Sequence, residues 1–381
     1  MDYGHSLLGE FHLDPAIRHL NHGSFGAVPK SVLAAAQGYQ IEAERRASTF
    51  FREAYHRLLG ERLALVARCY GGAAEDWAFV ENATAASNAV FLSERLGPGD
   101  EVLFTSAIYG AVRKAVVHWL GGRGVKVTEL PLALPVEDPS QVVALVAAAL
   151  RPQVKLLVID HITSTSALEL PVAEIAALCR ANGTRVFVDG AHAPGQIALD
   201  VPALGADYYT GNAHKWQFAP KGCGVLWVRP GLGGEVHPTT ISHGYGTGLQ
   251  GEFNWIGTRD ASAWFAFAEA VEAHARLGGA EAMARNRALA AEAGAMIAEA
   301  FGTPISGPPG MRAAMATVLL PLGAGAESER YHREISARYG MEACLMPWGE
   351  RLAVRISAQV YNEMEDYEAL VAALRDYFEY N

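Results

Sequence analysis

Between Trp77 and Val228, short apolar segments rich in β-branched residues alternate with segments of helical periodicity. This alternation constrains the fold strongly, because parallel neighbouring strands need a long connection, which is usually a helix. The sequence therefore predicts an α/β protein with a mostly parallel sheet covered on both faces. The predicted strands are Trp77–Glu81, Glu101–Thr105, Val125–Leu130, Val154–Asp160, Arg185–Asp189, Ala206–Thr210 and Gly224–Val228. The predicted helices are Ala85–Arg95, Val112–Gly121 and Pro139–Leu150.

The two ends of the chain have different patterns from this central part. Residues 1–30 are predicted to be irregular, with a glycine-rich loop at Asn21–Gly26 that precedes a long amphipathic pattern over Ser31–Tyr70. An alanine-rich helix over Ala261–Phe301 is followed by strands at Ala316–Leu320 and Arg351–Ser357 and by a last helix, Met364–Phe378. We therefore expect an N-terminal segment (1–30) that contributes to the functional site, a large domain (31–265) and a smaller α+β C-terminal domain (266–381).

Composition excludes several classes of function. Half of the 381 residues are apolar, and the net charge of −10 argues against a nucleic-acid partner. The cysteines Cys69, Cys179, Cys223 and Cys344 form no C-x-x-C pair, so we expect neither a disulfide framework nor a metal site. Met1–Asp14 lacks the pattern of a signal peptide, and no apolar run is long enough to span a membrane. The expected location is the cytoplasm, with no membrane partner.

An aspartate and a lysine at two successive strand ends carry the chemical prediction. Asp189 ends one predicted strand within Asp-Gly-Ala-His, and Lys215 follows the next within Gly-Asn-Ala-His-Lys-Trp. One strand–helix–strand repeat separates them, so both meet at one edge of a parallel sheet. A carboxylate that keeps a pyridine nitrogen protonated and an amine that forms a Schiff base are what pyridoxal 5'-phosphate (PLP) requires. Lys221 is a rival lysine, but it lies in a Pro-Lys-Gly sequence typical of an exposed turn.

Other polar segments at strand ends supply candidates for binding the cofactor's phosphate. Asn82-Ala83-Thr84 precedes a helix, where backbone N–H groups and a hydroxyl bind anions, although an ordinary helix cap is the alternative. Asn212 and His214 flank the lysine and are candidates for the same phosphate. Gly257 and Thr258 offer a further N–H group and hydroxyl, as a weak pattern.

The remaining candidates surround the cofactor ring and the substrate. Tyr109 is a candidate for stacking on the ring, with simple packing as the alternative. Candidates near the ring's phenolic oxygen are Asp160, Thr163, Ser164 and His192, although a lone Asp or His after a strand is more often a cap or turn residue. The small Ala191 would let the flat ring lie against the backbone. Arg355 shares one face of its strand with Arg351, Ala353 and Ser357, and its planar guanidinium is suited to a substrate carboxylate. A solvated or salt-bridged arginine is the alternative.

Taken together, the sequence resembles the class V aminotransferase family of fold type I PLP enzymes, and within it the isopenicillin N epimerase-like branch. The strings that carry the resemblance are LNHGSFG (20–26), ENATAA (81–86), DHITS (160–164), DGAHAPG (189–195), GNAHKW (211–216), WIGTRD (255–260) and RISAQVYN (355–362). They extend over almost the whole chain and are more specific for fold and cofactor than for reaction.

The resemblance implies a role for each candidate. Lys215 would form the Schiff base, Asp189 would bind the pyridine nitrogen, and Tyr109 would stack on the ring where many relatives carry histidine. Thr84, Asn212 and His214 would bind the phosphate, Thr258 would reach in from a second subunit of a homodimer, and Arg355 would bind the substrate carboxylate. Relatives often carry an acidic residue where Ile108 stands. Cysteine desulfurases of the wider family need a cysteine on a mobile loop, whereas Cys344 lies in a predicted strand, Glu342–Pro347.

The reaction stays open between related outcomes. The expected chemistry is formation of a Cα carbanion on an α-amino acid, with racemisation or epimerisation as the first interpretation and C–S β-elimination as a close competitor. Transamination is a third outcome, and a PLP-fold binding protein without activity is a fourth. Residues that select the outcome are expected in loops such as 20–26 and 240–256, and Asn21, His22 and Ser24 are the substrate-binding candidates. His22 or Tyr109 is the candidate for proton transfer on the second face of the ring.

Overall fold

The computed structural model describes residues 2–323 and 327–379. Its strands are β1 (Arg18–His19), β2 (Trp77–Val80), β3 (Glu101–Thr105), β4 (Lys126–Leu130), β5 (Val154–Asp160), β6 (Arg185–Gly190), β7 (Tyr208–Asn212), β8 (Gly224–Val228), β9 (Met315–Leu319), β10 (Met341–Glu342), β11 (Cys344–Trp348) and β12 (Arg351–Ser357). Its α-helices are α1 (His22–Phe25), α2 (Lys30–Arg45), α3 (Ala47–Thr49), α4 (Tyr55–Tyr70), α5 (Ala83–Ser93), α6 (Gly110–Trp119), α7 (Pro139–Ala149), α8 (Val172–Asn182), α9 (Leu249–Phe253), α10 (Ser262–Phe265), α11 (Phe267–Arg276), α12 (Gly279–Phe301), α13 (Ser328–Tyr339) and α14 (Met364–Tyr377).

The central sheet confirms the predicted α/β class. In the described part of the chain it has seven strands in the order β2-β8-β7-β6-β5-β3-β4. All pairs are parallel except those of β8, which runs antiparallel to both β2 and β7. One predicted strand is displaced, since β7 begins at Tyr208 rather than Ala206. The carboxylate of Asp207 accepts a hydrogen bond from the N–H of Val186 at 2.8 Å, so it secures the start of β6 and precedes β7.

Both faces of this sheet are buried, as the unbroken apolar strands predict. Along β5, Leu157 and Ile159 belong to one hydrophobic cluster and Leu156 and Val158 to the other, because successive side chains of a strand point to opposite faces. Helices α4, α7 and α8 contribute to the first cluster, and α5 and α6 to the second. The sheet is therefore a rigid middle layer, and its strand ends are fixed relative to one another.

Two long helical patterns of the sequence are interrupted in the structure. The Ser31–Tyr70 pattern forms α2 and α4 with a short α3 and a π-helical turn, Phe50–Ala54, between them. The Ala261–Phe301 pattern forms α10, α11 and α12, and the break before α12 falls at Gly278, whose φ of 110° is unfavourable for other residues. Phe267 and Ala270 of α11 pack in the large-domain cluster, although the predicted boundary at 265/266 assigns them to the small domain.

The C-terminal part forms a separate antiparallel sheet in the order β11-β12-β9, against which α12 and α14 pack. The N-terminal segment is attached to this part, since β1 pairs in parallel with β10. The predicted loop at Asn21–Gly26 contains one helical turn, α1, and is not wholly irregular. Cys344 lies within β11, as predicted, directly opposite Arg355. Among the described residues, no helix combines the length and apolar composition needed to cross a bilayer.

Candidate active site

The carboxyl ends of β5, β6 and β7 bring the sequence-predicted acidic residues and the lysine together. Asp160 and Asp189 are register partners at the ends of β5 and β6, and both are buried. Lys215 follows β7, whose Gly211 pairs with Gly190 of β6. This edge of an open α/β sheet is where ligands bind, because several strands end there side by side.

Lys215 lies close to a neutral imidazole and in a mixed electrostatic environment. Its Nζ atom is 3.1 Å from Nε2 of His192. Burial and the nearby guanidinium of Arg355 lower the pKa of Lys215 to about 7, against the opposing effect of Asp189 and Asp160. Burial also holds the pKa of His192 well below its ordinary value. An amine with this pKa is largely unprotonated just above neutral pH, which is the form that reacts with an aldehyde.

Two adjacent buried carboxyl groups give the site an unusual electrostatic character. Burial raises the pKa of Asp189, and burial together with Asp189 raises the pKa of Asp160 well above its ordinary value. The Oδ1 atom of Asp189 accepts a hydrogen bond from the N–H of Ala191 at 3.0 Å. In the described structure, Asp160 Oδ2 and His192 Nδ1 are buried without a hydrogen-bond partner. Buried polar atoms of this kind need a further hydrogen-bonding partner. The protonated pyridine nitrogen and the phenolic oxygen of PLP would supply such partners.

The N-terminus of α5 is held in place by two asparagine side chains. Asn82 caps the helix by accepting from the N–H of Ala85 at 2.9 Å. The Asn212 side-chain oxygen accepts from the N–H of Ala83 at 2.8 Å, which ties the start of α5 to the end of β7. Gly224 lets the strand approach this turn, since a Cβ atom there would lie 2.8 Å from the Cα of Asn82. The N–H groups of Ala83 and Ala85 are thus paired within the protein, and the hydroxyl of Thr84 lies on a fixed helix end, a position that suits a phosphate.

Arg355 contacts two of the other predicted substrate-binding residues, Asn21 and Ser24. It is 2% exposed, and its Nη2 donates to Asn21 Oδ1 at 3.0 Å and to Ser24 Oγ at 2.7 Å. Nη1 donates to the backbone oxygen of Ser164 at 2.6 Å, so the arginine also contacts the loop that follows β5. Its Nε atom is buried without a partner in the described structure. A guanidinium can bind a planar carboxylate through two donors, and in this structure the contacts with Asn21 and Ser24 occupy Nη2.

His22 is placed beside the lysine's backbone rather than beside Arg355. Its Nδ1 is 2.9 Å from the hydroxyl of Tyr361, and its Nε2 is 3.1 Å from the carbonyl oxygen of Lys215. Burial lowers the pKa of His22 to about 3, so the ring is neutral. Since both ring nitrogens have protein partners, the geometry gives His22 a positioning role for the lysine segment.

Four other predicted residues have specific surroundings. The hydroxyl of Thr163 lies 2.7 Å from Ser166 Oγ and accepts from the N–H of Leu168 at 2.8 Å, so it stabilises its own turn. His214 Nδ1 lies 3.1 Å from the carbonyl oxygen of Cys223. Tyr109 precedes α6 with 46% of its surface exposed.

The fourth of these residues, Thr258, is exposed at the surface of the single chain. It lines a surface cavity of about 770 Å³ beside α2, together with Tyr39 and Phe51.

Sequence reasoning missed several residues that support the site. Gln359 and Tyr361 both approach His22, and Gly26 packs on the backbone of Lys215. Tyr209 hydrogen-bonds His161 next to Asp160, at 3.0 Å. The strings LNHGSFG and RISAQVYN contain the first three of these residues, but nothing in the strings indicates which groups touch.

The fold and the site define an enzyme class in which a buried lysine and two buried carboxyl groups lie at one edge of an open α/β sheet, beside a fixed helix end. The model of the class V aminotransferases matches residues 25–370, and this chain belongs to that family. Its cofactor is pyridoxal 5'-phosphate.

Similar proteins include both lyases and epimerases by name. The putative L-cysteine desulfhydrase 1 of Oryza sativa subsp. japonica is 35% identical over 94% of this chain and 83% of its own length. The isopenicillin N epimerase of Streptomyces clavuligerus is 32% identical over 96% of both chains. The cysteine desulfurase of Thermococcus onnurineus NA1 has the same fold, with a TM-score of 0.83, 18% identity and coverage of 100% of this chain and 99% of that one.

Proposed function

We propose that the protein is a C–S β-lyase that releases a thiol or sulfide from cysteine or an S-substituted cysteine. The observation that carries this proposal is that one well-placed group, Lys215, has a pKa suited to moving the Cα proton. Racemisation needs a proton carrier on each face of the cofactor ring. Of the two candidates for the second face, His22 has both ring nitrogens engaged, and Tyr109 is almost half exposed. β-Elimination needs a single base at Cα and is the better match.

Each side chain then has a proposed task. PLP, when bound, supplies an electron sink for the charge that develops at Cα. Asp189 would bind the pyridine nitrogen, Asp160, Ser164 and His192 would lie near the phenolic oxygen, and the small side chain of Ala191 would let the ring lie against the backbone.

A second group of residues holds the cofactor from its other sides. Tyr109 would stack on the ring, and Thr163 stabilises its own turn nearby. The phosphate would be bound by the side chains of Thr84 and His214, with the hydrogen bond between Ala83 and Asn212 holding the helix end in place, and by Gly257 and Thr258 of a second copy in a homodimer.

Arg355 orients the substrate by its carboxylate, with Asn21 and Ser24 as neighbours that adjust to make room. Lys215 accepts the Cα proton, the Cβ–S bond breaks with its electron pair leaving on sulfur, and the sulfur takes up a proton. The remaining aminoacrylate reacts with one water molecule to give pyruvate and ammonia. Because the carboxylate stays bound to Arg355 throughout, decarboxylation is disfavoured.

The test is a product analysis with L-cysteine in deuterated water. We expect sulfide, pyruvate and ammonia in equal amounts, with residual cysteine that keeps its chirality. Lys215→Ala is expected to abolish this activity and the borohydride-reducible bond to the cofactor, whereas the matched control Lys221→Ala retains both. Free PLP without protein measures the uncatalysed background.

Isopenicillin N epimerase-type activity is the second candidate, since the relative of that name aligns over 96% of both chains. Loss of chirality at a deuterated Cα without release of sulfide would favour it over the lyase. An oxo acid formed in amounts equal to the enzyme, with the cofactor left in its pyridoxamine form, would contradict both and indicate an aminotransferase.

A further inference from the structure

A cavity of about 360 Å³ lies between the large-domain sheet and the small β9–β12–β11 sheet. On the large-domain side it is lined by segments that follow β3 and β5, including Ser106 and Thr165. On the other side, its wall includes Met346, Trp348 and Ala353. None of the tasks assigned above uses this space.

The cavity adjoins the guanidinium that binds the substrate carboxylate. Ala353 precedes Arg355 by two residues in β12, so both side chains lie on one face, about 7 Å apart along the strand. Thr317, which also lines the cavity, is the register partner of Arg355 in β9. The hydroxyl of Thr317 donates to the carbonyl oxygen of Thr165 at 2.8 Å, next to the Ser164 carbonyl that Arg355 binds.

The wall of the cavity is uncharged and combines apolar side chains with the hydroxyl-bearing residues Ser106, Thr165, Ser166 and Thr317. Within the described part of the chain, the residues around the cavity are alanine, leucine, methionine, proline, tryptophan, glycine, serine and threonine. The hydroxyls of two of them are already engaged: Ser106 Oγ accepts from the N–H of Leu132 at 2.9 Å, and Thr317 donates to Thr165. A carboxylate placed there would exchange part of its hydration for contacts with uncharged residues, whereas an alkyl group would not, so the lining favours an uncharged substituent.

We propose that this cavity receives the substituent on the substrate's sulfur, so that the preferred substrate class is a cysteine with an uncharged, apolar S-substituent. This inference rests on the proposed function for the reaction and names the substrate class of the same site. The thiol of free cysteine would fill only a small part of the space. An S-alkyl group would bury apolar surface against Met346, Trp348 and Ala353.

The test uses two substrates of similar size that differ in charge, S-propyl-L-cysteine and S-carboxymethyl-L-cysteine. Their dissociation constants are measured from spectral changes of the PLP-loaded enzyme, and pyruvate release is measured separately. We expect the S-propyl compound to bind at least about 100-fold more tightly, because the carboxylate of the other ligand would give up part of its hydration among uncharged residues. Equal dissociation constants would overturn the inference.

Two variants change the cavity in opposite directions. Ala353→Leu should weaken binding of S-propyl-L-cysteine more than binding of L-cysteine, and Trp348→Ala should extend the accepted substituents to larger ones such as S-benzyl. Leu352→Met, on the opposite face of β12 in the small-domain core, is the matched control. It should leave the ratio of the dissociation constants of S-propyl-L-cysteine and L-cysteine unchanged. If neither cavity variant shifts that ratio, the inference is wrong.

The two assays separate failure of this inference from failure of the proposed function. Preferential binding of the S-propyl compound without pyruvate from any cysteine derivative would support the cavity and reject the lyase. Pyruvate release with no discrimination between the two ligands would support the lyase and reject the cavity.

Discussion

Gly26 is the position where one methyl group is expected to disturb the site most directly. Its backbone has φ 72° and ψ 161°, a region that is almost restricted to glycine. A Cβ atom at this position would lie 2.4 Å from the carbonyl oxygen of His214, and 2.6 Å and 2.9 Å from the carbonyl oxygen and Cα of Lys215. All three atoms belong to the backbone, so no flexible side chain can move aside.

Backbone strain and the close contacts of the added Cβ atom together set the expected loss of stability. A strained backbone costs about 1–3 kcal/mol and overpacking of a tight contact about 1–3 kcal/mol, so Gly26→Ala should lower the free energy of unfolding by about 2–6 kcal/mol. Detachment of the 20–26 segment would relieve the clash but would break its contacts with Arg355. The variant should therefore also have a KM raised by about 30-fold or more, since about 2 kcal/mol corresponds to that factor.

Denaturant unfolding and steady-state kinetics test this reasoning with two control variants. Gly38→Ala, in the middle of α2 with no atom within 4 Å of the added Cβ, should be stabilising by about 0.5–1 kcal/mol. Gly23→Ala should have an intermediate effect, because its nearest contact, at 2.6 Å, is the sulfur of the flexible Met315 side chain. If Gly26→Ala matched Gly38→Ala in both stability and KM, the proposed packing of this segment on the lysine would be refuted.

Three further predictions concern the lysine, the phosphate site and the second subunit. In the apoprotein, acylation of Lys215, measured by mass spectrometry, should be half-maximal near pH 7, because burial and Arg355 lower the pKa of this lysine to about 7. Between about pH 7 and about pH 10 the lysine is protonated in the unfolded chain but not in the folded chain, so the free energy of unfolding should rise across this range. Asn212→Ala should lower the free energy of unfolding by about 1–3 kcal/mol, because it leaves the N–H of Ala83 unpaired. Asn212→Asp should keep that hydrogen bond but weaken PLP binding, since it places a negative charge near the phosphate. Equal PLP affinity of the two variants would contradict the phosphate assignment. If the sites are shared, mixing inactive Lys215→Ala with inactive Thr258→Glu should restore about a quarter of wild-type activity, and no recovery after verified subunit exchange would reject sharing.

The alternation of strands explains why the sequence predicts that Asp189 and Lys215 lie at one sheet edge. They follow the ends of the neighbouring parallel strands β6 and β7, as predicted, but the connection between these strands contains only the 3-10 turn Pro202–Leu204 and not the expected α-helix. The same geometry brings Asp160 beside Asp189 as a register partner. The resemblance of the motifs to a PLP family then supplied the cofactor, which the family match confirms.

Helix breaks were predicted less well because they depend on tertiary packing. The amphipathic pattern over Ser31–Tyr70 continues through the π-helical turn at Phe50–Ala54, and hydrophobic periodicity does not distinguish one bent element from a straight one. The break at Gly278 had a local signal in its glycine pair, but alanine-rich flanks favour a continuous helix.

The sequence by itself determined the sheet, its edge and the residue types that the cofactor requires, because short-range spacing and burial of apolar strands leave few possible arrangements. Only the tertiary structure decided which side chains meet across long separations in the chain. The contacts of Arg355 with Asn21 and Ser24, and of His22 with the Lys215 backbone, depend on how the N-terminal segment and the small sheet pack against the large domain. That packing also encloses the uncharged cavity beside Arg355, and no local pattern specifies a space formed between two separately folded layers.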